Sequence, residues 1–216
     1  MNVVFITDIR GRNDGFDRLP AADVAVIGGD LTQFGTAADV RRVLASVTAR
    51  FPRVLAVLGN CDPPAGNGIL EECGVALHLR AVTVDGTAFA GVGGSNRTPF
   101  RTPYEWGDEE MAASLEQLSI APAAGPLVLV SHAPPHGSGA DRLPSGISAG
   151  SAAVARLVRA RRPALVLCGH IHEAVGQFAL DGIPVVNPGA FRAGHYACVT
   201  FGQGTTTPTV ELRTLA

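Results

Sequence analysis

Five short apolar runs dominate the sequence, and a polar residue of a metal-binding type follows close behind each of them. The runs span residues 3–6, 24–27, 54–58, 127–130 and 165–168. Apolar runs of this length, bounded by turn-forming residues, are typical of buried strands. Helical spacing occurs between them, as in the stretch from Thr36, an N-cap hydroxyl with an acid three residues later, to Val47. Alternating strands and helices predict an α/β fold with a largely parallel core.

Two other segments have helical patterns, whereas the C-terminal part does not. We predict helices over 109–118 and 151–161, the second followed by an arginine and a proline that favour a helix end there. From Pro184 onward the sequence is strand-like and rich in turn residues, which predicts a partly antiparallel C-terminal portion. Since no repeat or linker divides the chain, we expect a single domain over 1–216.

Composition restricts the chemistry and the partners. The chain is 46% apolar and 17% charged with a net charge of −2, so it carries no basic excess that would predict nucleic-acid binding. No apolar run reaches the ~20 residues of a membrane helix, and the N-terminus has no export signal. We therefore expect a cytoplasmic protein that binds a small phosphate ester, with no nucleic-acid or membrane partner. The sequence leaves undecided whether the protein forms a homodimer. The absence of lysine excludes Schiff-base chemistry and a Walker-type phosphate loop.

The polar residues that follow the five runs form one candidate metal site. Ligands of open α/β sheets bind beyond the carboxyl ends of the strands, so five such strands side by side would bring these residues to one sheet edge. Two carboxylates, one amide oxygen and three imidazoles, without a thiolate, suit Mn, Fe, Zn or Ni better than Ca. The candidate ligands are Asp8, Asp30, Asn60, His132, His170 and His172.

Five motifs in this order resemble those of the calcineurin-like metallophosphoesterase superfamily and, more narrowly, its Icc-related branch of small phosphoesterases. They are Asp8-Ile-Arg10, Gly28-Gly-Asp30, Gly59-Asn-Cys-Asp62, Ser131-His132 and Gly169-His-Ile-His172. The resemblance implies an α/β fold, a four-layer αββα sandwich with two mixed β-sheets. It also implies in-line attack on phosphorus by a metal-bound hydroxide.

The resemblance further assigns a role to each candidate ligand. By analogy with the family, Asp30 bridges two metals. Asn60, His132 and His170 complete one site. Asp8 and His172 serve the other.

The first motif departs from the family pattern, which is Asp-x-His. Residue 10 is an arginine here, and a guanidinium has no lone pair to give a metal. Three interpretations stay open: water takes the missing ligand's place, Arg10 pairs with Asp8 and binds the substrate phosphate, or Arg10 points to solvent and the site has decayed. We favour the second. We expect one tightly bound divalent transition metal, Mn by preference, and a second that is weak or absent.

Cys61 is the second departure, since many family members have a histidine there that is assigned as the acid protonating the leaving group. A thiol is a poor substitute for an imidazolium, and we expect Cys61 to be a small filler. His136 is a candidate proton donor, with a surface histidine as the competing interpretation. Asn96 and Arg97, on a glycine-rich loop, are candidate substrate contacts because arginine binds phosphate oxygens in pairs; a solvated loop arginine is the alternative.

These observations predict a metal-dependent phosphodiesterase that acts on a small phosphate ester, such as a nucleotide or a cyclic nucleotide. The candidate catalytic residues are Arg10, Asn60 and His136. The alternative is a catalytically impaired protein of the same fold that serves as a protein-binding scaffold, since two histidines of the family pattern are missing.

Overall fold

The computed structural model describes residues 1–120, 125–202 and 206–215. Thirteen strands and four α-helices lie in these ranges. The strands are β1 (Asn2–Ile6), β2 (Val24–Gly28), β3 (Val54–Val57), β4 (Ala81–Val84), β5 (Thr87–Val92), β6 (Ser95–Asn96), β7 (Glu105–Trp106), β8 (Leu127–Ser131), β9 (Leu165–Cys168), β10 (Gly176–Leu180), β11 (Ile183–Asn187), β12 (His195–Thr200) and β13 (Thr209–Thr214). The helices are α1 (Ala37–Thr48), α2 (Gly66–Glu72), α3 (Asp108–Glu116) and α4 (Ala152–Arg161).

Two large mixed sheets carry most of the strands. The first has the order β13-β12-β1-β2-β3 and the second the order β10-β11-β9-β8-β5-β4, while β6 and β7 form a small separate pair. Strands β1, β2 and β3 are parallel, as are β5, β8, β9 and β11. The C-terminal strands β12 and β13 and the β10–β11 pair are antiparallel, which confirms the prediction for this part of the chain.

All five apolar runs are strands, but the expectation that they lie side by side in one sheet is wrong. Strands β1, β2 and β3 belong to the first sheet, and β8 and β9 to the second. The sheets pack face to face through an apolar layer to which Phe5 and Val26 contribute from one side and Phe89 and Val130 from the other. A run that is apolar throughout is compatible with either sheet, because both of its faces are covered in each case.

Side-chain alternation along the strands builds the remaining layers. In β1, Val3 and Phe5 face the second sheet, whereas Val4 and Ile6 face the outer layer, where Val43 and Leu44 of α1 pack. Helices α3 and α4 cover the far face of the second sheet in the same way. The layers therefore follow the order α, β, β, α, and the predicted four-layer sandwich is confirmed.

The predicted helices form close to their expected bounds. Thr36 and Asp39 make a reciprocal capping box at the start of α1, in which Oδ2 of Asp39 accepts the Thr36 amide at 2.7 Å. Ser151 caps α4 through its hydroxyl, which accepts the amide of Val154 at 3.2 Å. Sequence patterning missed the short helix α2, which contains two glycines. None of the helices in the described ranges is long and apolar enough to cross a bilayer.

Candidate metal centre

The six candidate ligands lie in loops that leave the carboxyl ends of five strands, and they meet where the two sheets face each other. The first sheet contributes the ligands after β1, β2 and β3, and the second those after β8 and β9. Donor atoms of Asp8, Asp30 and His132 all lie within 4.8 Å of one another, and the three residues are buried. The convergence expected from the strand-end pattern is therefore present, although it occurs across two sheets.

The backbone is strained where these ligands are held. Asp8, Arg10, Asp30 and His170 all have positive φ values, of 54°, 53°, 50° and 68°. Left-handed conformations cost a residue with a Cβ of the order of 1–2 kcal/mol, and such residues cluster at functional sites. Position 59 requires glycine for a steric reason, because a Cβ there would collide with the Asp30 carboxylate.

One half of the centre is a cluster of one amide, two imidazoles and a carboxylate. The Oδ1 atom of Asn60 lies 2.9 Å from Nε2 of His132 and 2.9 Å from Nδ1 of His170. The Oδ1 atom of Asp30 lies 3.5 Å from the same His132 nitrogen. These four residues are the ones that the resemblance assigns to a single metal.

The tautomer of His132 provides a test of whether this cluster fits a metal. Its Nδ1 lies 2.8 Å from the carbonyl oxygen of Gly28, which can only accept, so Nδ1 carries the proton. In the neutral ring, Nε2 then has a lone pair that faces the Asn60 oxygen, another acceptor. Two lone pairs at such a distance are stabilised by a cation between them, so the donor set fits a divalent transition metal.

The orientation of the Asn60 amide is set by residues of a different loop. Its Nδ2 donates to Oγ1 of Thr102 at 2.9 Å, and that hydroxyl donates in turn to Oε1 of Glu105 at 2.6 Å. Because the Thr102 hydroxyl gives its proton to Glu105, it can only accept from Asn60. The amide oxygen is thereby directed towards the two histidines.

Arg10 occupies the other half of the centre. Its Nη2 lies 2.9 Å from Oδ2 of Asp30, 3.4 Å from Oδ1 of Asp8 and 3.1 Å from Nε2 of His172. Its Nη1 donates to Oε1 of Gln33 at 2.5 Å, and its side chain is only 15% exposed. The guanidinium thus lies among the three residues that the resemblance assigns to the first metal, instead of pointing to solvent.

Electrostatics differ between the two halves. Burial lowers the pKa of His170 to about 3, so its ring is neutral and offers a lone pair at neutral pH. Burial alone would raise the pKa of Asp8, but the hydrogen bond with His172 and the nearby cations bring it below its usual value. That same hydrogen bond raises the pKa of His172. Burial and the neighbouring Asp8 raise the pKa of Asp30, against the opposing charge of Arg10.

Cys61 is buried beside the centre without a reactive role. Burial raises the pKa of its thiol to about 12, helped by the adjacent Asp30 carboxylate. Its backbone amide donates to Oδ1 of Asp30 at 2.8 Å. A thiol that stays protonated at neutral pH is neither a nucleophile nor a useful acid, as expected for a filler.

None of the other candidate residues forms a hydrogen bond or ion pair with the six ligands, all of which lie in the described part of the chain. His136 is exposed, with Nδ1 3.6 Å from Oδ2 of the buried Asp141. Asn96 donates from Nδ2 to the carbonyl of Ala149 at 3.2 Å, while its Oδ1 is buried and has no hydrogen-bond partner. Arg97 is exposed on the loop that begins at β6.

Sequence reasoning missed three residues that position the ligands, namely Asp62, Thr102 and Glu105. Asp62 is fully buried and accepts hydrogen bonds from Leu31, Thr32 and Gly59, so it ties the loop after β2 to the loop after β3. The only sequence feature that could have pointed to Asp62 was its place as the acid that ends the Gly59–Asp62 motif. Thr102 and Glu105 lie outside every motif.

Comparisons with known proteins point to the same superfamily as the sequence motifs. The family described as "Metallophosphoesterase, calcineurin superfamily" matches residues 112–211. The chain is 34% identical over 194 residues to MJ1162, an uncharacterized protein of Methanocaldococcus jannaschii, with 87% of this chain and 88% of that protein covered.

Two solved structures show the likeness at the level of the fold. TT1561 of Thermus thermophilus has a TM-score of 0.73 at 18% identity, over 100% of this chain and 99% of that one. Phosphopantetheinyl hydrolase (PptH) from Mycobacterium tuberculosis has a TM-score of 0.59 at 18% identity, over 88% of this chain and 90% of that one. At such identities the similarity concerns the fold alone.

Proposed function

We propose that this chain hydrolyses a small phosphodiester. It belongs to the calcineurin superfamily of metallophosphoesterases. In the proposed site, one divalent metal is tightly bound and a guanidinium takes the place of a second metal. Manganese is our preferred metal, and a nucleotide or cyclic nucleotide the preferred type of substrate. The single observation that supports this most is the approach of Nε2 of His132 to Oδ1 of Asn60 at 2.9 Å, with Nδ1 turned to the Gly28 carbonyl, within a set of four converging donors. A buried arrangement of acceptors alone is costly without a cation.

Asp30, Asn60, His132 and His170 would hold the metal. When bound, it supplies a Lewis acid that stabilises negative charge on the reacting phosphoryl oxygens. His132 is kept in the required tautomer by the Gly28 carbonyl, and Asn60 is kept in the required rotamer from its other end. The protein therefore presents these donors before any ligand arrives, which reduces the cost of binding.

Arg10 would supply the second positive charge. Its guanidinium is anchored to Asp30 and Gln33 beside the metal cluster, and its Nε is buried without a hydrogen-bond partner. Unlike a second metal, a guanidinium cannot activate water, because it has no open coordination position. In this proposal Arg10 binds and orients the phosphate and neutralises its charge.

No group within the cluster is assigned to protonate the leaving group, so hydrolysis of diesters should become faster as the leaving group becomes more acidic. Cys61 does not serve, since its thiol pKa lies near 12. His136 stays a proposal for this role, and Asn96 and Arg97 stay proposals for substrate contacts. The buried Asn96 Oδ1, which has no partner, is the feature that supports a ligand at that loop.

Hydrolysis of bis-p-nitrophenyl phosphate and of p-nitrophenyl phosphate tests the proposal, with Mn, Ni, Mg or a chelator present. We expect metal-dependent activity on the diester and little on the monoester. His132→Ala should lower kcat/KM for the diester by at least about 100-fold, because loss of a group that only orients a ligand already costs about 10- to 100-fold. His195→Gln is the matched control, since that histidine lies on β12 against Thr214, and it should retain activity.

A folded protein without activity under any metal would instead favour the scaffold alternative. Retention of all four donors of one cluster argues against that alternative, because a binding surface does not require buried histidines and an asparagine arranged around one point.

A further inference from the structure

An open cavity of about 670 Å³ lies directly beside the metal centre. Its lining residues are Arg10, Gly11, Arg12, Asp14, Gln33 and Arg192. Three arginines and one aspartate leave the lining with an excess of two positive charges, although the chain as a whole has a net charge of −2. The lining is therefore locally positive, in contrast to the net charge of the whole chain.

Arg192 is the arginine best placed to bind a ligand. It is exposed, and no group in the described part of the chain accepts a hydrogen bond from its guanidinium. Its backbone amide donates to the carbonyl of Asp8 at 3.1 Å, which fixes this residue next to the metal centre. All its side-chain donors are thus available to an incoming anion.

Arg12 is held in place by weak partners. Its Nη1 donates to the carbonyl oxygens of Phe191 and Arg192 at 3.2 Å each, and its Nε donates to Oδ1 of Asp14 at 3.0 Å. The Asp14 side chain is 76% exposed, so this ion pair is screened by water and contributes little. A phosphate can compete with Asp14 for the guanidinium at low cost.

Arg10 connects the cavity to the metal centre. Its Nη2 bonds to Asp30 within the centre, while the residue also lines the cavity. A ligand that extends from the centre into the cavity therefore remains in contact with guanidinium groups along its length. Arginine recognises phosphate oxygens through paired, charge-assisted hydrogen bonds, which makes phosphate the anion that this lining suits best.

We propose that this cavity binds a second phosphate of the substrate, so that the natural substrate is a phosphodiester with a further phosphoryl group near the scissile one. The inference rests on the proposed function for the role of the centre, but the cavity's affinity for phosphate does not depend on turnover. Binding of inorganic pyrophosphate to the full chain in metal-free buffer tests it separately, by titration calorimetry.

The wild-type protein should bind pyrophosphate about tenfold more tightly than inorganic phosphate, which engages fewer guanidinium groups. Arg192→Ala should weaken pyrophosphate binding about tenfold, as loss of a charge-assisted pair does, and Arg192→Lys should weaken it less. Arg53→Ala is the matched control. Arg53 is also exposed, but it precedes β3 at the opposite end of the sheet, and its loss should leave the affinity unchanged.

Three results would overturn the proposal: equal affinity for pyrophosphate and phosphate, equal losses from Arg192→Ala and Arg53→Ala, or equal binding of malonate, which would show a general anion site. Failure of diester hydrolysis alongside Arg192-dependent pyrophosphate binding would contradict the proposed function and leave the phosphate site standing.

Discussion

Arg10 donates from Nη2 to Oδ2 of Asp30 at 2.9 Å, while Nε2 of His132 lies 3.5 Å from the other oxygen of that carboxylate. Asp30 therefore lies between a guanidinium and a cluster of metal donors, in the position that the family assigns to a ligand bridging two metals. The arginine keeps a positive charge beside Asp8 and Asp30 without requiring a second ion. This arrangement explains how the histidine of the first motif can be absent while the acids around it are retained.

Replacing Arg10 by histidine should create a second metal site. Wild-type protein should retain about one Mn per chain after dialysis, whereas Arg10→His should retain about two, because the imidazole completes the set of Asp8, Asp30 and His172. Elemental analysis of dialysed protein measures this. Arg10→Ala removes the guanidinium without adding a ligand and should hold no more metal than Arg10→His; two ions in the wild type would contradict the prediction.

Thr102 should control metal affinity without contacting the metal. Thr102→Val removes the acceptor for Nδ2 of Asn60, so the amide loses its fixed orientation, and metal affinity should fall by about 10- to 100-fold. Thr102→Ser keeps the hydroxyl and its bond to Glu105, and should restore most of the affinity. Metal titration calorimetry compares the two variants. Equal affinities in both would show that the hydroxyl has no positioning role.

Asp62 should be necessary for the stability of the fold. In Asp62→Asn the amide group faces N–H donors of Leu31, Thr32 or Gly59, so hydrogen bonds are lost in a fully buried site at a cost of about 3 kcal/mol. Urea denaturation measures the free energy of unfolding. Asp85→Asn, at an exposed turn where asparagine tolerates the left-handed conformation, should change it little.

His78 should make the stability fall in mild acid. Burial lowers the pKa of His78 to about 4, and its Nδ1 accepts the amide of Gly93 at 3.0 Å, which requires the neutral ring. The unfolded chain takes up this proton near pH 6.5, before the folded chain does. The contribution of His78 to stability is therefore complete above about pH 6.5, and it is lost as the pH falls towards 4, by up to about 3 kcal/mol.

His78→Asn keeps an acceptor for Gly93 and removes the titrating group. As the pH falls from 7.5 to 4.5, the unfolding free energy of the wild type should therefore decrease more than that of His78→Asn. Urea denaturation at a series of pH values measures both. A difference that is constant over this range would rule out the buried neutral histidine as the cause.

Local patterns in the sequence predicted five of the strands, three of the helices and the set of metal-binding residue types. These patterns are the apolar runs, capping residues such as Thr36, and the polar residues after each run. They depend on near neighbours in the chain, so they can be recognised from the sequence alone. The resemblance of five motifs added the layer order. Membership of the superfamily, supported by the relative with 34% identity, agrees with that prediction.

Only the tertiary structure decided how the runs divide between two sheets and where Arg10 points. Three interpretations of Arg10 were open because its partner Asp30 lies 20 residues away and His172 lies 162 residues away. Thr102 is likewise 42 residues from the asparagine that it orients. Contacts between residues so distant depend on how the layers pack, and packing leaves no periodic signal in the sequence that would reveal which side chains meet.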